Sequence, residues 1–196
     1  MPKAEQTRAF IIEKAAPVFN TKGFAGTSLT DLENATGLTK GSIYNNFDNK
    51  DEVARAVFDH NLNQVSRLID AEMSRYRSAK GRLLAYVKVY GDGTLKYPFP
   101  KGGCPILNTA VESDDTHSEL RKKAAAAIVA WKAKIVGLIK MGIDTKEFRP
   151  SVDAECTALT IVAAIEGAVM ISRVTGKSLY LSAVMKSVKK IIEDLT

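Results

Sequence analysis

Residues 27–50 read Thr-Ser-Leu-Thr-Asp-Leu-Glu-Asn-Ala-Thr-Gly-Leu-Thr-Lys-Gly-Ser-Ile-Tyr-Asn-Asn-Phe-Asp-Asn-Lys. They spell two short helices joined by a tight turn, then the start of a third. Ser28, with Asp31 three residues on, is a helix N-cap whose acidic partner suits the positive end of the helix dipole. Leu29, Leu32 and Ala35 form a short apolar stripe. Gly37 stands where a left-handed residue ends a helix. Leu38 fills the turn, and Thr39 caps the next helix, expected from about Lys40 to Phe47. On that helix Ile43 and Phe47, four apart, face the core. Thr39, Lys40, Ser42, Tyr44, Asn45 and Asn46 point outward, and Gly41 lets a phosphate or base edge approach the backbone. Asn49 and Glu52 open the following helix as a capping box. Lys50 in its first turn opposes the local dipole, which an anion such as a phosphate would explain.

Upstream, Ile11, Ala15 and Phe19 recur every four residues on a packing helix expected over Thr7–Lys22, bent at Pro17 and stopped by Gly23. A three-helix head of this kind lays its second turn helix in the major groove of DNA. The residues expected at double-stranded DNA are Thr27, Ser28, Thr39, Lys40, Gly41, Ser42, Tyr44, Asn45, Asn46 and Lys50. A head that only packs would leave those outward polar residues without a role.

Residues 8–58 resemble the N-terminal domain of the TetR family of bacterial transcriptional regulators. The match is carried by Ile11, Ala15, Ala16, Phe19, Lys22, Gly23, Phe24, Leu32 and Val53, and above all by the run Gly37-Leu-Thr-Lys-Gly-Ser-Ile-Tyr44. Many members have an aromatic residue or His at position 45 or 46. Asn45-Asn46 here implies a different base reading. The resemblance implies an all-α chain: a helix-turn-helix DNA-binding head over 1–50, and a larger helical effector-binding and dimerisation domain over 51–196.

Length and composition agree with one head and one larger body. The chain has 196 residues and a formal net charge of +6. Residues 1–60 hold seven Lys/Arg against eight Asp/Glu, so the excess basicity lies outside the head. DNA binding is therefore argued from local arrangement rather than from the isoelectric point. The polar N-terminus has no signal-peptide pattern, and the two cysteines make no disulfide framework. The most apolar stretch, 156–172, reads as too short and weakly apolar for a bilayer span. These features point to a cytoplasmic chain with no membrane partner.

In the body a connecting helix is expected from Asn49 to about Ser78, then helices over 81–95, 105–113, to about Met141, 153–174 and 178–195. Tyr97–Gly103 reads as a loop. The last two helices are apolar nearly all round and fit a two-fold four-helix interface. In TetR-like proteins they form the dimer contact, as the resemblance implies.

Cys104 before Pro105 is expected to cap a helix, with Lys101 nearby and Gly102-Gly103 leaving the sulfur accessible. Some electrophile- or oxidant-responsive members carry Gly-Cys at the corresponding helix start, which the resemblance carries over to Cys104. The alternative is inert packing, and Cys156 reads as packing. Cys104, Asn108 and Glu112 share a helix face. With Tyr86, Tyr90, Phe99, Trp131, Glu166 and Met170 they are the candidate lining of a small-molecule effector cavity. The competing reading places the aromatics in the core and Glu166 at the dimer contact. Thr116 and Glu119 read as a capping box, which accounts for the acidic cluster around His117 without a metal. No cofactor motif and no catalytic constellation is evident, so an enzyme is not expected. The expectation is a ligand-responsive regulator, most simply a repressor, that binds a pseudo-palindromic operator as a homodimer. Its rivals are the same scaffold triggered at Cys104, and a helical protein-interaction module that does not bind DNA.

Overall fold

The computed structural model describes residues 2–91 and 101–196. These residues form helices and, among them, no strand: α1 Lys3–Lys22, α2 Leu29–Thr36, α3 Lys40–Tyr44, α4 Lys50–Met73, α5 Ala79–Gly91, α6 Pro105–Ser113, α7 Ser118–Asp144, α8 Ala154–Thr175 and α9 Ser178–Glu193. Phe99 and the neighbouring part of the expected loop lie outside the described residues.

The chain divides into two compact units, with breaks after residues 64 and 125 inside α4 and α7. The first unit holds α1, α2, α3, the first part of α4, α6 and the start of α7. Its core is built from Ile11, Ala15 and Phe19 of α1, Leu32 of α2, Ile43 and Phe47 around α3, and Val53 and Val57 of α4. Leu120, from the start of α7, completes it. The head expected over 1–50 thus shares its compact unit with α6.

The caps follow the sequence closely. Ser28 accepts from the Asp31 N–H, and the Asp31 carboxylate accepts from the Ser28 N–H, so both arms of the capping box form. Gly37 closes α2 in the left-handed conformation. Thr39 accepts from the Ser42 N–H at the start of α3. The carboxylate of Glu33 adds a second cap there, taking the Lys40 N–H at 2.8 Å. α3 ends at Tyr44 rather than Phe47. The Asn46 N–H bonds to the Ile43 carbonyl, three residues back, a tightening turn that places Phe47 in the core without extending the helix. At α4, Asn49 caps the Glu52 N–H, but Glu52 reaches back to the Asp48 N–H rather than that of Asn49.

α7 corrects a further expectation. His117, not Thr116, sits at its N-terminus: Nδ1 accepts from the Leu120 N–H at 3.2 Å. The Nε2 atom lies 2.7 Å from Asp51 Oδ1, so this geometry uses the neutral ring with its proton on Nε2. The Thr116 hydroxyl instead donates to the Glu112 carbonyl, and Glu119 pairs with Lys122. The His117 side chain is only 13% exposed.

The second unit holds the rest of α4 and α7 with α5, α8 and α9. α9 turns Leu181, Met185, Val188 and Ile192 inward and packs on α8 and α5. Glu147 caps α5, taking the Ala79 N–H at 2.7 Å. α8 has 22 residues and a mean hydropathy of 1.7 over its most apolar window. It therefore meets the length and apolarity of a membrane span, contrary to the reading of its sequence, because the helix is longer than its purely apolar segment. One face is buried through Ile161, Ile165, Ala168 and Val169.

The capping box carries a pH consequence. The Asp31 carboxyl is lowered from 3.8 to about 2, first by the hydrogen bond from Lys22, then by those from the Ser28 N–H and hydroxyl. A carboxyl held below its unfolded value stabilises the fold above that value, and the contribution is lost as pH falls toward 2. Carboxyl NMR titration is expected to give an Asp31 midpoint near 2. Lys22→Met should move that midpoint up toward the ordinary aspartate range, and an unmoved midpoint would contradict the assigned cause.

Candidate functional site

The outward tip of the head is assembled by the caps just described. Thr39, Lys40, Gly41 and Asn45 are exposed, and Ser42, Tyr44 and Lys50 are half-buried. Around Gly41 a Cβ would meet nothing nearer than the Thr39 hydroxyl, 4.0 Å away, so the backbone there is open to a ligand. Ser28 is exposed, and its hydroxyl serves the α2 cap. Two expected positions are otherwise committed. Thr27 is 1% exposed, with its hydroxyl donating to the Gly23 carbonyl at 2.6 Å, so its side chain does not belong to the outer surface. The Asn46 side chain donates back to the Ser42 carbonyl at 2.9 Å, which leaves Asn45 as the freer amide. The Lys50 ammonium lies 4.4 Å from the centre of the Phe24 ring, a cation–π contact that holds a positive charge at the start of α4.

Arg8 was not singled out from sequence, because one Arg on an N-terminal helix looks like ordinary surface. In the structure its guanidinium stacks 4.0 Å over the Phe47 ring, donates to the Asn46 carbonyl and pairs with Glu52 at 2.6 Å. One side chain from α1 thereby holds the end of α3 and the start of α4. The planar fork does both jobs, which a lysine ammonium does not reproduce.

The candidate effector residues fall in both units. Cys104, Asn108 and Glu112 belong to the first, where they bind α6 to the end of α1. The Glu112 carboxylate accepts from the Phe24 N–H at 2.7 Å and the Ala25 N–H at 2.8 Å. The Asn108 amide donates to the carbonyls of Asn20 and Gly102, and the Asn20 amide donates to those of Lys101 and Gly103. Two bare glycines permit the approach. A Cβ on Gly23 would collide with the Glu112 carboxylate, and one on Gly102 with the Asn20 carbonyl; both glycines have positive φ, 73° and 115°. The face expected to line a cavity is bonded to the head, and two of its residues, Asn108 and Glu112, also border a cleft in the same unit. Helical periodicity identifies a shared face but not its occupant.

Cys104 is the N-cap residue of α6, followed by Pro105 as expected, but its sulfur does not cap the helix. It is also 3% exposed, whereas Cys156 is exposed. For Cys104 the burial fits the packing reading rather than the accessible one, whereas Cys156, expected to pack, is exposed.

In the second unit Tyr86 and Tyr90 are buried and flank Trp131, with ring centres 6.1 and 6.3 Å from the indole. The buried Trp131 Nε1–H makes no hydrogen bond of ordinary geometry among the described residues, though it acts on the Tyr86 phenol. Burial pushes the Tyr86 phenol far above its ordinary value; the Asp70 charge adds to this and the nearby indole N–H offsets part of it. Glu166 is half-buried on α8. Met170 is 48% exposed, so within this chain it lines no enclosed cavity. It belongs instead to an exposed apolar set on α8 and α9 with Leu159, Ile171, Val174, Leu179 and Tyr180.

Two outcomes are expected. Arg8→Ala and Arg8→Lys should both lower stability, by on the order of 1 kcal/mol, read from the denaturant midpoint; full recovery by lysine would contradict the fork argument. A maleimide should label Cys156 well before Cys104 in the folded protein, as followed by mass spectrometry.

Comparison with known proteins agrees with this architecture. Residues 11–57 match the family model for bacterial regulatory proteins of the tetR family, and residues 79–188 match the tetracyclin repressor-like C-terminal domain. A TetR-family regulator from Cytophaga hutchinsonii is 49% identical, with a TM-score of 0.94 over 100% of this chain and 97% of its own. A TetR regulator from Chloroflexus aurantiacus is 37% identical, with a TM-score of 0.92 over 98% of this chain and 97% of its own. The transcriptional regulator TtgR of Pseudomonas putida is 27% identical over 169 residues, 84% of this chain and 79% of its own. With a tetR-type head, a C-terminal domain model spanning more than half the chain and a near-superimposable structure at 49% identity, this chain belongs to the TetR family of DNA-binding bacterial transcriptional regulators.

Proposed function

We propose that the chain is a cytoplasmic repressor that binds a pseudo-palindromic operator as a homodimer and releases it when a small molecule occupies the body. The exposed tip of α3 carries this reading. Lys40, Gly41 and Asn45 present a cation, an open backbone and a free amide on a helix fixed from behind by Arg8 and Phe47. An amide suits bidentate reading of adenine, and a lysine suits phosphate or guanine. Thr39, Ser42, Tyr44 and Lys50 would support the phosphate contacts from the same surface.

The homodimer is supported by the apolar side chains left exposed on α8 and α9. Val174 is 84% exposed and Leu179 71%, more than a solitary chain gains from such residues. A small-molecule effector is supported by the buried indole N–H of Trp131 between Tyr86 and Tyr90, a donor within an aromatic wall. Such an effector need only favour the conformation that fits DNA less well; a coupling of about 1–3 kcal/mol weakens operator affinity about 5–150-fold.

Selection of bound fragments from random duplex DNA is expected to enrich one inverted-repeat motif. Asn45→Ala should then relax preference at one or two base pairs in each half-site, at about 1–3 kcal/mol. Failure to enrich any motif would reject the DNA reading. The dimer is tested separately. Val162 is only 6% exposed, so a charge there disrupts the core. Val174→Asp with Leu179→Asp places charges on the exposed set, and should give a folded monomer by light scattering where the parent chain is a dimer.

A further inference from the structure

Lys50 opens α4, at the end of a helix where a cation is least favoured, because the free N–H groups there already carry positive partial charge. Among the described residues it makes no ion pair: the acid next in sequence, Asp51, is turned instead to His117 at the start of α7, with Oδ1 2.7 Å from Nε2. What holds the Lys50 ammonium is the Phe24 ring, whose centre lies 4.4 Å away. Phe24 is itself placed from three sides. Its backbone N–H donates to Glu112 at 2.7 Å, and its side chain packs against the head core. The His117 imidazole meets its ring in a T-shaped contact, with ring centres 4.6 Å apart.

His117 is fixed at both ring nitrogens. Nδ1 accepts from the Leu120 N–H at 3.2 Å and Nε2 donates to Asp51, so the imidazole cannot turn without losing a bond. It does two things for Lys50. It buttresses the ring that carries the ammonium, and it engages the neighbouring carboxylate that would otherwise compete with an anion for that charge. A lysine left without a carboxylate at a helix start is suited to a phosphate. We propose that His117 is a positioning residue for DNA binding, setting the Lys50 ammonium against the phosphate backbone through Phe24 and Asp51. This role rests on the DNA reading given above and adds to it a residue from outside the helix-turn-helix. All four side chains belong to the same compact unit.

The test combines operator binding with an NMR measurement that needs no DNA. His117→Asn keeps the cap of α7, since an asparagine oxygen also accepts at that position, but it removes the ring against Phe24. In the free protein the Lys50 ε-methylene signals, assigned by their loss in Lys50→Met, are expected upfield of an ordinary lysine, because the ammonium beside them lies over the Phe24 ring. His117→Asn should return them toward the ordinary position in a chain that stays folded. At fixed salt, His117→Asn should weaken binding to the selected operator about fivefold in the parent chain and less than about twofold in a Lys50→Met background. Lys50→Met should also reduce the slope of log affinity against log salt by about 0.9, one phosphate contact. An equal loss in both backgrounds means that His117 serves only the fold of the head and overturns the proposal, as does an unchanged affinity in His117→Asn. Operator binding by a parent chain whose Lys50 signals sit at ordinary positions overturns the relay alone. An upfield Lys50 signal in a chain that binds no duplex rejects the DNA reading, and this role with it.

Discussion

Two backbone N–H groups just beyond the end of α1, those of Phe24 and Ala25, have no helical partner, and both are taken by one carboxylate, that of Glu112 on α6. Much of the head unit follows from this contact. α1 must stop at Gly23, whose bare backbone leaves room for the carboxylate. The leader into α6 must pass Asn20 at Gly102 for the same steric reason. Asn108 then donates to the Gly102 carbonyl of the leader, and Asn20 to those of Lys101 and Gly103. A charge-assisted bond to a free N–H is among the stronger contacts a partly buried surface can make. This one ties α6 to the turn that leads into α2.

The reading tip has a different logic. α3 is five residues long, and so short a helix has little stability of its own. It is held from outside: Thr39 and Glu33 cap its start, Ile43 and Phe47 anchor it in the core, and Arg8 closes its end. The side chains not needed for this support, chiefly Lys40 and Asn45, are the ones left free to meet another molecule. Asn46, adjacent to Asn45 and chemically identical, is spent on its own helix.

In the body, α8 divides its apolar surface. One face packs inward through Ile161, Ile165 and Val169, while Leu159, Met170, Ile171 and Val174 stay exposed within the single chain. A helix this apolar satisfies the composition of a membrane span, yet its inner face packs on α9. Met170 lies on the exposed side and Val162 on the buried side.

Local chemistry was legible in the residues themselves. The Ser28–Asp31 capping box, the left-handed stop at Gly37, the Thr39 cap and the Cys104–Pro105 helix start all depend on neighbours within four positions, so short-range rules reach them. The all-helical class and the head motif follow from the same spacing, and the run from Gly37 to Tyr44 carried the family. What lay beyond the sequence were contacts between residues far apart in the chain. Arg8 meets Asn46 across 38 positions, His117 meets Asp51 across 66, and Glu112 meets Ala25 across 87. Burial belongs to the same class: Cys104 and Cys156 are both small thiols near helix starts, and only packing decided that the first is covered and the second open. A helical face can be read from periodicity, but which element covers that face is settled only when the chain is assembled in three dimensions.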